Sequence, residues 1–152
     1  MAVGVFDSGI GGMTVAREIR RIFPKEKIIY FGDTLRVPYG GREVDELKML
    51  ADMATGFLIN QGADVVIDAC NTTSALALPM LQAKYEVPVL GVLAPGAREA
   101  AKTTRNGKIG VIATQATVGS GCYEKEIKSV DSGLEVISIA CPKLVGFIED
   151  VK

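Results

Sequence analysis

Three short segments hold the residues best suited to chemistry. In the first, Cys70 closes the apolar run Val65-Val66-Ile67-Asp68-Ala69 and is followed by Asn71, Thr72, Thr73 and Ser74. A thiol at the start of a helix feels the positive end of the helix dipole, and its pKa is expected to fall. A free thiol with a reference pKa of about 8.5 is only ~3% ionised near neutral pH, so such a fall would make it a working base. The alternative is a small buried hydrophobe, the commoner fate of a lone cysteine. An amide and three hydroxyls beside Cys70 are unusual company for a core residue, and both readings stay open at this point.

The second segment, Asp7-Ser8-Gly9-Ile10-Gly11-Gly12-Met13-Thr14, places Gly9, Gly11 and Gly12 where a chain could turn sharply and approach a ligand closely. A dinucleotide loop would use it, with Asp33 as the ribose ligand. The fit is a near miss, because Thr14 stands where the third glycine belongs and Asp7 would repel a pyrophosphate. A tight strand-to-helix turn capped by Asp7 or Ser8 is the competing reading. The third segment is Thr114-Gln115-Ala116-Thr117.

Composition narrows the chemistry. The 152 residues contain no histidine, which excludes Ser-His-Asp and Cys-His hydrolysis, His-ligated zinc and imidazole proton transfer within this chain. Proton transfer is left to carboxylates, thiols, lysines and tyrosines. Cys70, Cys122 and Cys141 form no C-x-x-C pair, so no zinc ribbon or redox dithiol is expected and no metal site is assigned. With 17 Lys+Arg against 18 Asp+Glu, no excess of positive charge favours nucleic acid or a membrane surface. The cluster Arg17, Arg20, Arg21, Lys25 and Lys27 reads as a solvated helix face and its exit. No apolar run reaches the length of a membrane span, and reduced thiols without a leader segment point to the cytoplasm.

These segments need a scaffold, and the pattern supplies one. Short β-branched runs alternate with helical patterns, predicting β-α units around a parallel sheet. Strands are predicted over 3–6, 27–31, 64–69, 87–92, 108–113 and 135–140. Helices are predicted over 12–23, 43–61, 72–84, 96–104, 117–130 and from 143 onward. The helix over 43–61 carries Leu47, Leu50, Met53, Ala54, Phe57 and Leu58 at the spacing of a buried stripe and stops at Gly62. All three segments then fall at carboxyl ends of strands, where open α/β sheets bind ligands. Asp33 reads as a site-entrance residue or a turn cap, and Arg36 as a carboxylate anchor or a loop charge. A crossing between two lobes is expected near Gly91 to Pro95, and the last helical pattern stops without a cap, as in a piece of a longer chain.

The segments Asp7-Ser8-Gly9-Ile10-Gly11-Gly12, Gly32-Asp33 with Arg36-Val37-Pro38-Tyr39-Gly40, Ala69-Cys70-Asn71-Thr72, and Cys141-Pro142 with Glu149 resemble the N-terminal part of the glutamate racemase family. That family belongs to the cofactor-independent aspartate/glutamate racemases, and the resemblance runs in order along essentially the whole chain. It implies an α/β fold of two similar lobes, over 1–93 and 94–152, with the second incomplete. It also implies interconversion of L- and D-glutamate without a cofactor, for peptidoglycan synthesis, by a protein that forms homodimers.

Carried over by position, the resemblance makes Cys70 one of two thiols flanking the substrate α-carbon, assisted by Asp7. Ser8, Pro38, Tyr39, Gly40, Asn71, Thr72 and Thr73 would hold the substrate, with Thr114 and Thr117 nearby from the second lobe. Glu149 matches an acidic residue near the second half of the site. The family's second catalytic cysteine lies in a G-C-T-H-Y-type motif that does not occur here, so Cys122 and Cys141 read as structural. A catalytically incomplete binding module for acidic amino acids, or an aspartate or hydantoin racemase, are the alternatives.

Overall fold

A computed structural model describes residues 1–149, with Glu149 described by its backbone alone. Strands β1 (Ala2–Asp7), β2 (Lys27–Gly32), β3 (Val65–Asp68) and β4 (Val89–Gly91) form a sheet in the order β2-β1-β3-β4. Every pairing is parallel. Phe6 lies opposite Asp68 in the β1–β3 register. The chain leaving β1 at Asp7 and the chain leaving β3 toward Cys70 are therefore neighbours, before any side chain is considered.

Strand alternation divides the core of this lobe. Val3 and Val5 point to one face and pack with Val15 and Ile19 of α1 (Met13–Ile22). Phe6 points to the other and joins Ala51, Ala54 and Leu58 of α2 (Val44–Asn60) with Leu81 of α4 (Leu78–Lys84). Because both faces are covered, the strands are apolar nearly throughout. A second sheet pairs β5 (Lys108–Ala113) with β6 (Glu135–Ala140), also in parallel. One face is covered by α5 (Leu93–Thr103) and α7 (Cys122–Val130) through Ala97 and Ile127, while Ile112, Ile137 and Ile139 are exposed. The lobe division expected after residue 93 falls in the first turn of α5.

Two predicted helices are each broken in two. The segment predicted over 72–84 forms α3 (Asn71–Leu76) and α4, separated by Ala77. Pro79 has no N–H to offer the carbonyl of Ala75, so a continuous ladder is unavailable there. That carbonyl is met from the other lobe, by the Cys122 thiol at 3.1 Å. The segment predicted over 117–130 forms α6 (Gln115–Gly119) and α7, with Gly121 at φ 64 between them. Replacing Cys122 by Ala is expected to lower stability in urea unfolding by about 1 kcal/mol, the usual contribution of one hydrogen bond. An unchanged midpoint would show that the Ala75 carbonyl does not depend on the thiol.

Candidate active site

A cavity of about 680 Å³ opens between the carboxyl end of the four-stranded sheet and the second lobe. The first lobe presents Asp7 at the end of β1 and Ser8 just after it, Tyr39 and Gly40 from the β2–α2 loop, and Cys70, Asn71 and Thr72 at the start of α3. The second presents Thr114 and Thr117 around the start of α6, Tyr123 on α7 and Cys141 after β6. Nine of the substrate-facing residues expected from sequence thus share one wall system.

Asp7 combines the two readings offered for it. Its Oδ2 accepts the N–H groups of Gly9 (3.2 Å) and Gly12 (2.9 Å), which ties the glycine loop, while the residue also lines the cavity. Gly12 must be glycine here, because a Cβ would stand 2.6 Å from Asp7 Cβ and 3.2 Å from Ala69 Cβ. Asp33 is a loop anchor: it accepts the Tyr39 hydroxyl at 2.7 Å and pairs with Arg36 at 2.9 Å. That resolves Arg36 as the charge partner of Asp33. Burial, and then the hydrogen bond to Asp33, push the Tyr39 phenol well above its usual range, so it stays neutral.

Cys70 is buried, with Sγ 3.4 Å from Ser8 Oγ. Its thiol does not behave as the helix-start argument predicts. Burial pushes its pKa up, and the negative charges of Asp68 and Asp7 push it further; the Ser8 hydroxyl and the Thr73 N–H only partly oppose them. With only six residues, α3 has a small dipole to set against desolvation and two carboxyls.

Contacts between the lobes close the site. The hydroxyls of Thr72 and Thr114 are 3.1 Å apart, Thr114 and Thr117 are 2.9 Å apart, and Thr117 reaches Thr72 at 3.4 Å. Tyr123 donates to Asn71 Oδ1 at 2.6 Å, and the Ala116 N–H reaches the Gly40 carbonyl at 3.3 Å. Gly40 lies so close that a Cβ would sit 2.6 Å from Thr114 Cβ and 2.7 Å from its Cγ2. Gly40→Ala is therefore expected to force the lobes apart, costing about 1–3 kcal/mol as in other overpacked contacts. A thermal unfolding midpoint equal to that of the parent chain would contradict this packing.

Two expected substrate contacts are corrected. Thr73 is fully buried and turns its hydroxyl away from the cavity onto Asp68 Oδ1 at 2.7 Å, because the helix periodicity sends it inward. Pro38, joined to Val37 by a cis peptide, lines a separate cavity of about 160 Å³ with Gly41, Gln115 and Pro142. The side chain of Glu149 lies outside the described residues. Three further residues, Cys141 expected as structural among them, belong to the site or its support. Cys141 lines the main cavity, Tyr123 reaches Asn71, and Asp68 lies behind Cys70. The signal for Asp68 was its charge inside an otherwise apolar strand. Among the described residues no group of His, Cys, Asp or Glu is placed to hold a metal, and no helix is long and apolar enough to cross a membrane.

An α/β sheet with a thiol, a carboxylate and hydroxyls converging at its carboxyl end defines a class. The family model for Asp/Glu/hydantoin racemases matches residues 14–151, and the chain belongs to that family. Within it, the chain is 48% identical to the glutamate racemase of Desulforudis audaxviator, over 97% of this chain and 54% of that protein. The solved glutamate racemase isoform RacE1 of Bacillus anthracis superposes with a TM-score of 0.94 at 46% identity, covering 99% of this chain and 56% of that one. The glutamate racemase of Francisella tularensis, solved in complex with D-glutamate, gives 0.90 at 38% identity over the same shares, 99% and 56%. The chain thus spans about half the length of the relatives it matches.

Proposed function

We propose that this chain carries the first thiol half-site of a cofactor-independent glutamate racemase, active in the cytoplasm and supplying D-glutamate for the cell wall. The observation that carries the reading is the position of Cys70 at the cavity wall, with Ser8 at 3.4 Å and Asp7, Asn71 and Thr72 around it. The similarity to glutamate racemases, one of them bound to D-glutamate, supports glutamate as the substrate. A homodimer is part of the same proposal.

Racemisation removes a proton from one face of the α-carbon and returns one to the opposite face. In this reading the Cys70 thiolate takes the α-proton of D-glutamate, and the resulting carbanion is protonated from the other side by a second acid. Asn71, Thr72 and the Gly40 backbone hold the α-carboxylate, while Ser8 and Asp7 hold the α-ammonium. The raised thiol fits this chemistry once substrate is bound. An ammonium beside Asp7 offsets the negative charge that opposes ionisation of Cys70, so the base forms where its substrate already sits.

The test is incubation of the 152-residue chain with each glutamate enantiomer in deuterated buffer. α-Deuterium is followed by mass spectrometry and enantiomer composition by chiral chromatography. The expected result is no sustained racemisation by this chain alone, with residual exchange favouring D-glutamate. Glutamate binding without exchange of either enantiomer would overturn the half-site reading in favour of a binding module. Faster exchange of aspartate than of glutamate would overturn the substrate.

A further inference from the structure

Behind Cys70 lies a carboxyl that the proposed reaction does not use. Asp68 ends β3 and is completely buried. Its Oδ1 accepts the Cys70 N–H at 3.1 Å and the Thr73 hydroxyl at 2.7 Å, while its Oδ2 has no hydrogen-bond partner. Its backbone carbonyl accepts the Ser74 hydroxyl at 2.9 Å and the Val92 N–H at 3.3 Å. The corner that presents the thiol is thus built around this one residue.

We propose that Asp68 is a positioning residue for the Cys70 thiol, fixing the strand-to-helix corner through Oδ1 and coupling the ionisation of the thiol to its own charge. The inference rests on Cys70 as the base of the proposed reaction, but its test does not need catalysis. A buried carboxylate with one unpartnered oxygen is costly, whereas the neutral acid makes the same two Oδ1 contacts at far lower cost. The surroundings of Asp68 act in opposite directions, and burial with the charge of Asp7 outweighs the hydrogen bonds from Thr73, Cys70 and Ser74. β1 brings Asp7, and the α3 corner brings Cys70 with the Thr73 and Ser74 hydroxyls; β4 is Val89-Leu90-Gly91 and brings no charge. Burial, with Asp7 adding to it, pushes the Asp68 carboxyl up to about 8. Asp68 in turn raises the thiol. Two negative charges at one desolvated corner exclude each other, so the proton on Asp68 is what permits a thiolate on Cys70.

The experiment compares Asp68→Asn with the parent chain by alkylation with iodoacetamide from pH 6 to 10. Modification of Cys70 is read by peptide mass mapping, with Cys122 as the internal reference. Asparagine retains the Oδ1 acceptor and cannot carry the charge. The Cys70 titration is expected to move down by about one pH unit, read as about tenfold faster alkylation at pH 8 with Cys122 unchanged. Superimposable Cys70 profiles would overturn the coupling. Should Asp68→Asn fail to fold, infrared spectra of the parent chain with carboxyl-labelled aspartate decide the matter. A protonated aspartic-acid carbonyl band is expected at pH 7, and its absence would overturn the proposal. If glutamate exchange fails while the alkylation shift appears, the functional reading falls and this inference stands; the reverse pattern removes only Asp68.

Discussion

Replacing Cys70 by serine should abolish exchange of the α-hydrogen of glutamate, by at least the ~10²–10⁴-fold that a positioned acid/base group contributes. Serine is nearly the same shape, and its hydroxyl can keep the contact with Ser8 that Sγ makes at 3.4 Å. The Asp68 anchor acts on the backbone N–H of residue 70, which the substitution does not touch. The fold and the cavity should therefore survive while the base is lost, because an aliphatic hydroxyl does not ionise in the working pH range. The checking measurement is deuterium incorporation into D-glutamate, with a thermal melt confirming the fold. Unchanged exchange in a folded variant would remove Cys70 from the chemistry and shift attention to Cys141, which lines the same cavity.

A second large effect concerns stability against pH. Asp68 keeps its proton in the folded chain up to about pH 8, whereas an aspartate in the unfolded chain releases it near pH 4. Below about pH 4 both states are protonated and Asp68 contributes no pH dependence. Between about pH 4 and 8 the folded state holds one proton more than the unfolded state, so stability falls as pH rises, by about 1.4 kcal/mol per unit. Above that window both states are ionised, and the full cost of the buried charge is present. Asp68→Asn removes this slope. Urea unfolding at pH 5, 6.5 and 8 should show the parent chain losing stability steadily relative to the variant. Parallel curves at the three pH values would show that Asp68 is ionised at all of them.

Much of the fold is written in local pattern. β5 and β6 occupy the spans that their short β-branched runs predict, because such a run is a property of neighbouring residues. The single helix expected over 72–84 is instead broken at Ala77, because Pro79 starts a new helix and cannot continue the ladder of the first. Cys70 is legible as a candidate for a similar reason, beside the buried-hydrophobe alternative: a thiol, an amide and hydroxyls cluster where a strand gives way to a helix. Thr73 was misplaced because consecutive residues of a first helical turn face different ways. Thr72 reaches the cavity, and Thr73 turns to Asp68.

The sign of the Cys70 shift shows where sequence reasoning ends. Residue types and their order are enough to set the chemistry available: no imidazole, a thiol beyond the third strand, and a carboxylate where the first strand ends. From the groups near Cys70 in the chain alone, a helix start predicts an acidic thiol. Parallel pairing of β1 with β3 brings Asp7, 63 residues away, to the same corner, and burial removes the water that would screen it and Asp68. Local order chose the group that can carry the proton. Strand register and desolvation, which are properties of the packed chain, chose how tightly it is held.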